Sequence, residues 1–252
     1  MEKILALLLI FLMKSVAFAQ TPAVFIINTQ EHDRGGSTSV YYLDEYYAIE
    51  KWKNIAPEAK IIMIRAESNE QITRSLEAWI KPDPKKYVII GLEIISHGNY
   101  RTLANENRKF HLLFPEGLGA IFSPLKNSYA LGARVVLDGC EVISRMSSEQ
   151  IKKNLKVALT TLGIAEGEIY ASQTDFYEVS PYYKNNPFNS DIPLEKRIRF
   201  LVGNALVFPP LVTYALQKFY NSGVLLRINS EGVQTQQLDF EKTFEIPLSL
   251  HK

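Results

Sequence analysis

The sequence has little cysteine: Cys140 is the only one among 252 residues. A lone cysteine excludes an intrachain disulfide, and with it the class of small exported domains that disulfides hold together. The sequence also lacks an excess of charge of either sign, with 28 basic and 27 acidic residues. A nucleic-acid-binding domain usually carries a strongly basic surface, so we expect no nucleic-acid partner.

Sequence patterns that bind cofactors are missing as well. The chain contains no zinc-type ligand spacing, no Walker loop and no GxGxxG motif, so we expect no metal and no cofactor. What is present is an ordinary globular composition, 46% hydrophobic and 22% charged. A chain of this length can bury a core without disulfides or metals.

The amino-terminal segment resembles a secretion signal. Lys3 precedes a ten-residue apolar run, residues 4–13, which is too short to span a bilayer comfortably. Ala17-Phe18-Ala19 then offers a small-x-small cleavage site before Gln20. We expect a signal peptide over residues 1–19, export to the periplasm or beyond the cell, and no stable membrane insertion after signal removal. The alternative is an uncleaved anchor.

Apolar runs rich in β-branched residues alternate with segments of helical periodicity up to residue 172. The runs predict strands over 23–28, 60–66, 86–96, 133–138 and 168–172, and the periodicity predicts helices over 40–55, 69–80, 124–131 and 147–163. Strands that are apolar throughout are typical of a parallel sheet covered on both faces. The pattern predicts a three-layer αβα fold with a mostly parallel sheet and helices on both faces.

The remaining third of the chain has a different character. Residues 173–193 form a loop rich in Tyr, Asn and Pro, and residues 194–220 form an apolar helical segment interrupted at Pro209. Charged residues and prolines favour a core helix over a membrane span there. Two last strands are expected at 223–229 and 242–250. We expect one domain over 20–252, with a core sheet in 23–172 and the remainder in 173–252.

Two predicted strands end in reactive side chains. The third ends in Ser96-His97-Gly98 and the fourth in Asp138-Gly139-Cys140. Ligands of parallel sheets bind beyond the carboxyl ends of the strands, and consecutive strands often lie side by side. We therefore expect a Cys–His dyad, in which His97 deprotonates the thiol of Cys140 and the thiolate attacks a carbonyl. The N–H groups of Gly98 and Cys140 are candidates for an oxyanion hole.

A strand ending in His-Gly, followed by a helix and a strand ending in Asp-x-Cys, resembles the caspase-like cysteine peptidases. That group includes caspases, metacaspases, paracaspases, legumains and gingipains. The matching pieces are residues 87–98 and 133–140, and the order of elements fits over 23–172. The resemblance implies a caspase-like sheet and a cysteine endopeptidase that cleaves proteins or peptides through a thioester acyl-enzyme.

The resemblance also assigns two candidate residues of the substrate-binding S1 pocket. In metacaspases and paracaspases the acid two residues before the cysteine prefers a basic P1 side chain, and Asp138 holds that position. Arg34 falls where caspases place an S1 arginine, which selects an acidic P1. Glu141 departs from both groups, since metacaspases follow the cysteine with His and caspases with Gly.

Each site residue has a structural alternative. The alternatives are that Cys140 is only a small buried hydrophobic residue, that His97 is a structural histidine, and that Asp138 caps the helix after Cys140 or hydrogen-bonds its own loop. The other function classes are an inactive caspase-like binding or scaffolding module of the cell envelope, and another thiol hydrolase or acyltransferase.

Overall fold

Strands alternate with helices along the described chain, which covers residues 20–29, 38–105, 108–139, 141–173, 222–248 and 250 of the computed structural model. The strands are β1 (Thr21–Asn28), β2 (Lys60–Arg65), β3 (Tyr87–Ile95), β4 (His97–Asn99), β5 (Thr102–Ala104), β6 (His111–Leu113), β7 (Tyr129–Asp138), β8 (Gly167–Ser172), β9 (Ser222–Asn229) and β10 (Gly232–Asp239). The helices are α1 (Thr38–Ile55), α2 (Asn69–Ile80), α3 (Leu118–Ile121), α4 (Ser148–Leu162) and α5 (Phe240–Glu245), and a 3-10 turn spans Ser123–Leu125.

Seven of the described strands form the main sheet, in the order β10-β9-β8-β7-β3-β1-β2. The five strands from β8 to β2 run parallel, whereas β9 and β10 add to the edge in antiparallel pairs. The carboxyl ends of the five parallel strands therefore meet at one edge of the sheet. The neighbouring positions of β3 and β7 confirm the expected pairing of the two motif-bearing strands.

Both faces of the sheet are covered. In β1, Phe25 and Ile27 belong to one core cluster and Val24 and Ile26 to the other, and all four side chains are fully buried. Helices α2, α3 and α4 pack over the first face, and α1 and α5 over the second. This arrangement confirms the predicted three-layer fold. Continuous apolar strands such as β1 can form only where neither face meets water.

Local sequence signals account for the two best-defined helices. Helix α2 begins after Ser68, whose side chain accepts a hydrogen bond from the Gln71 amide, and the helix has the predicted bounds. Helix α4 begins with a capping box between Ser147 and Gln150 and ends at Gly163, which has a φ of +82°. Each helix turns its apolar stripe toward the sheet.

Three predictions of secondary structure were wrong in detail. The helix expected at 124–131 is instead α3 followed by the 3-10 turn, and β7 already begins at Tyr129. The last strand was expected at 242–250, but the last described strand is β10, which ends at Asp239. The predicted strand segment instead begins within helix α5. The hairpin strands β4, β5 and β6, which form a separate antiparallel sheet, were not expected at all.

A buried arginine attaches the carboxyl-terminal segment to the sheet. Arg134 and Glu168 are both fully buried, and Arg134 Nε donates to Glu168 Oε2 over 2.7 Å. The Arg134 guanidinium also donates to three carbonyl groups of the last described segment, those of Thr243, Ile246 and Pro247. Burial lowers the pKa of Arg134, and the charge of Glu168 opposes this shift. We call this group the Arg134 clamp.

Several predicted segments lie outside the described residues. They are the signal peptide at 1–19, the Arg34 loop, the loop from residue 174 to 193 and the apolar segment at 194–220. The signal, the division into core and remainder, and the core placement of 194–220 therefore stay predictions. No helix among the described residues is long and apolar enough to cross a bilayer.

Candidate active site

The two sequence motifs meet at the carboxyl edge of the sheet. Ile95 of β3 lies opposite Asp138 of β7, and the Ser96 amide then donates to the Asp138 carbonyl over 3.0 Å. The residues that follow, His97 on one strand and Gly139 on the other, are the first beyond this last hydrogen bond. The structure thus places the histidine motif and the segment leading to Cys140 side by side, although Cys140 itself lies outside the described residues.

Gly139 lies in direct contact with the histidine loop. A Cβ atom at Gly139 would lie 2.4 Å from Leu103 Cδ2, 3.1 Å from the Ser96 carbonyl oxygen and 3.4 Å from Gly98 Cα. The first of these distances is shorter than a van der Waals contact, so any larger residue would have to displace the Leu103 side chain. Gly139 was not among the predicted site residues. Its position before a lone cysteine was the available signal.

The segment after Cys140 is held on two sides. Val142 and Ile143 are fully buried, the Arg101 amide donates to the Val142 carbonyl over 2.9 Å, and the Ile143 amide donates to the Ser172 carbonyl over 3.0 Å. Residues 141–145 form turns, and Glu141 has a φ of +50°. Since Gly139 is also fixed, both neighbours of Cys140 occupy defined positions.

The turn after Cys140 also decides one structural alternative. Helix α4 begins several residues later, at Ser148, and its amino-terminal cap is Ser147. Asp138 is the last residue of β7 and is only 3% exposed. The alternative in which Asp138 caps the next helix is therefore wrong.

His97 is the first residue of β4 and its side chain is exposed. It lies opposite Ala104 in the hairpin, and the Ser96 side chain donates to the Ala104 carbonyl over 3.0 Å. Two further contacts fix this hairpin to the body of the protein. Asn69 exchanges two hydrogen bonds with the backbone of His111, and Asn105 Nδ2 donates to the Glu67 carbonyl. His97 therefore stands on a supported strand and faces solvent.

A cationic side chain that sequence reasoning missed lies farther along the same edge. Arg65 ends β2, and its guanidinium donates two hydrogen bonds, of 2.8 and 2.6 Å, to the buried carboxylate of Glu45. Asn28 at the end of β1 donates to the same carboxylate over 2.9 Å. Arg34, the expected S1 candidate, lies outside the described residues. The available signal for Arg65 was a charged residue at the end of an otherwise apolar run.

The described residues contain no group of three or more His, Cys, Asp or Glu side chains placed to hold a metal ion. At this edge His97 offers an exposed imidazole and Asp138 a buried carboxylate. Cys140, the next residue after Gly139, would supply a thiol.

No protein-family model matches the chain, and no curated protein is significantly similar to it. Among solved structures, the chain is similar to a secreted C11 cysteine protease from Bacteroides thetaiotaomicron, "iotapain", at 11% identity and a TM-score of 0.46, over 83% of this chain and 67% of that one. It is also similar to a structure of a secreted C11 cysteine protease from the same organism in complex with an irreversible peptide inhibitor, at 8% identity and a TM-score of 0.44, over 82% of this chain and 66% of that one.

Proposed function

We propose that this protein is a cysteine endopeptidase of caspase-like fold, with Cys140 as the nucleophile and His97 as the general base. The observation that carries the proposal is the hydrogen bond from the Ser96 amide to the Asp138 carbonyl, which joins the two motif segments where parallel strands β3 and β7 end. His97 directly follows Ser96, and Cys140 follows Asp138 by two residues. The carboxyl edge of a parallel sheet is where such folds bind their ligands.

The proposed reaction uses the dyad and two backbone N–H groups. His97 takes the thiol proton of Cys140, and the thiolate sulfur attacks the carbonyl carbon of the scissile peptide. The N–H groups of Gly98 and Cys140 would hold the resulting oxyanion. The tetrahedral intermediate then expels the amine, which takes the proton from the imidazolium of His97 and leaves a thioester. Water, deprotonated by His97, hydrolyses the thioester and restores the thiol.

Asp138 is proposed to set the specificity for Arg or Lys at P1. Its carboxyl group is nearly buried and stands two residues before the nucleophile, at the end of β7. A substrate guanidinium would form a charge-assisted, bidentate pair with it, which neither an apolar nor an acidic side chain can replace. Arg34 supports the opposite preference if it lines S1, and the P1 assay described below decides between them.

Export is proposed on the sequence of residues 1–19. A cleaved signal leaves Gln20 as the first residue, one position before β1 begins at Thr21. The sheet would therefore remain complete after cleavage. Intact-mass measurement of the exported protein should give a chain that starts at Gln20, and a chain that retains Met1 would indicate an anchor instead.

The dyad is tested with three single variants and a fluorogenic peptide carrying arginine at P1. Cys140→Ala and His97→Ala should each abolish hydrolysis. His111→Ala is the matched control, because His111 is also an exposed histidine of the same small sheet and only its backbone contacts Asn69. It should retain full activity.

A thiol-directed acyl electrophile gives a second readout. It should modify Cys140 rapidly in the wild type and slowly in the His97→Ala variant. Hydrolysis that survives Cys140→Ala would contradict the proposal. A reduced, accessible Cys140 in a protein that cleaves no peptide of a broad P1 library would support the binding or scaffolding module instead.

A further inference from the structure

The hairpin that carries His97 turns at an unfavourable residue. Strands β4 and β5 are joined by Tyr100 and Arg101, with Asn99 opposite Thr102. Arg101 has a φ of +57°, in the left-handed region. Two-residue hairpins favour Gly or Asn at such positions, because a larger side chain is strained there. A strained residue beside a candidate site suggests a function that offsets the strain.

The contacts of Arg101 indicate what that function is. Its backbone N–H donates to the Val142 carbonyl over 2.9 Å, and its own carbonyl accepts from the Phe114 amide over 2.8 Å. Its Nε donates to the Phe114 carbonyl over 3.2 Å, and its Nη2 lies 2.8 and 3.1 Å from the two carboxylate oxygens of Glu116. Arg101 thus joins the tip of the hairpin to two other segments.

One of these segments contains the proposed nucleophile. Val142 follows Cys140 by two residues, and Arg101 follows His97 by four residues in the same hairpin. The hydrogen bond from the Ser96 amide to the Asp138 carbonyl holds the two segments together before Cys140. The hydrogen bond from Arg101 to Val142 holds them together after it. Cys140 therefore lies between two points at which its loop is attached to the His97 hairpin.

We propose that Arg101 is a positioning residue that fixes the Cys140 loop relative to His97, an inference that rests on the function proposed above. The side-chain bonds to Phe114 and Glu116 hold the hairpin tip in its strained conformation, and that conformation directs the Arg101 N–H at Val142. Arg101 need not touch substrate. Small displacements of a reacting group lower the rate of the chemical step far more than they weaken substrate binding.

The test compares Arg101→Ala with Arg108→Ala. Arg108 is a matched control, because it is exposed, lies in the neighbouring turn and also has a positive φ, of 58°. Alanine keeps the backbone strain at both positions and removes only the side chain. Arg101→Ala should lower kcat by about tenfold or more and leave KM within about twofold. Arg108→Ala should change neither constant.

A pH profile supplies a readout that a purely structural role would not change. The pH midpoint for alkylation of Cys140 depends on its distance from His97, since a nearby imidazolium favours the thiolate. In Arg101→Ala this midpoint should move upward, toward that of an ordinary thiol, and in Arg108→Ala it should stay at the wild-type value. Wild-type kcat and an unchanged midpoint in Arg101→Ala would overturn the positioning role, and so would equal effects of the two substitutions.

Glu116→Ala keeps the inference testable if Arg101→Ala does not fold. The ion pair between Arg101 and Glu116 is largely exposed, so its removal should leave the fold intact while freeing the guanidinium. We expect a smaller decrease in kcat and a smaller upward movement of the alkylation midpoint, and no change in either would overturn the positioning role. Activity that survives Cys140→Ala would instead overturn the proposed function, and the positioning role with it.

Discussion

The Ser96 amide and the Asp138 carbonyl form the last backbone hydrogen bond between the two strands that carry the proposed site, at 3.0 Å. Beyond this pair one chain turns into the His97 hairpin and the other enters the Cys140 loop. Since Asp138 supplies the carbonyl of this pair, the proposed specificity residue and the proposed dyad share one base.

Asp138→Asn should change the P1 preference without unfolding the protein. Asparagine has nearly the same shape but lacks the charge that would pair with a guanidinium. The kcat/KM for an arginine substrate should fall by about 10- to 100-fold, the effect of losing a hydrogen bond to a charged group. Asp83→Asn, in the loop before β3, is the control and should have no effect. A P1 library that shows a preference for Asp or Glu would refute the assignment.

Gly139→Ala should destabilise the protein and impair the site together. The new Cβ would collide with Leu103 Cδ2 at 2.4 Å, and Leu103 is fully buried. Overpacking of this kind costs about 1–3 kcal/mol of unfolding free energy. The double variant Gly139→Ala/Leu103→Val should lose less free energy of unfolding than the sum of the losses of the two single variants. Strict additivity in chemical denaturation would show that Leu103 is not the obstacle.

Glu141→Gly should raise stability and lower activity. Glu141 has a φ of +50°, a left-handed conformation that costs a residue with a side chain about 1–2 kcal/mol. Glycine adopts it without strain, and its entropic cost is only about 0.5–1 kcal/mol. The free energy of unfolding should therefore rise by the difference. The turn next to Cys140 would become freer, and kcat should decrease. Arg145→Gly relieves a similar φ of +59° farther from the nucleophile and should stabilise without changing kcat. Thermal melts and peptide hydrolysis, measured on both variants, separate the two effects.

Tyr129→Phe should stabilise the protein above pH 10. The Tyr129 hydroxyl is buried and has no hydrogen-bond partner among the described residues, and burial raises its pKa above the ordinary value of 10.0. Between the two pKa values only the unfolded chain loses this proton, so the wild type loses stability as pH rises through about 10, at up to ~1.4 kcal/mol per pH unit. The variant lacks this loss, and an identical decline in both proteins would contradict the prediction.

Removing the buried guanidinium of Arg134 should lower the free energy of unfolding far more than removing an exposed guanidinium. Arg134→Met leaves the buried charge of Glu168 with one partner fewer and should cost about 3–5 kcal/mol. Arg74→Met breaks an exposed ion pair with Glu70 and should cost no more than about 0.5 kcal/mol. Similar losses for the two variants in urea denaturation would show that the clamp does not stabilise the fold.

The core sheet was predictable from sequence because its signals are local and agree with one another. Strand β1 is apolar at every central position, and α2 is delimited by Ser68 before it and Pro82 after it. The edge at which His97 and the Cys140 segment meet followed from strand order alone. That inference required only that the third and fourth predicted strands be parallel neighbours, which they are.

The missed elements depend on contacts that no local pattern reveals. The His97 hairpin has strands of three residues and turns at Tyr100 and Arg101, without the Asn-Gly or Gly residues that mark such turns. Its tip is held by Phe114 and Glu116. Residues 242–245 of helix α5 were predicted as the start of a strand, yet Phe244 packs edge-on against Trp52 at 5.6 Å. Tertiary contacts decide both structures.

The Arg134 clamp can form only late in the synthesis of the polypeptide. Arg134 emerges from the ribosome 109 residues before Thr243, whose carbonyl it binds. Of the partners in the clamp, only Glu168 is present until that segment arrives, and the rest of the guanidinium needs water, so the second face of the sheet cannot close over it. The proposed protease would therefore complete this part of its core only after residues 243–247 had been synthesised.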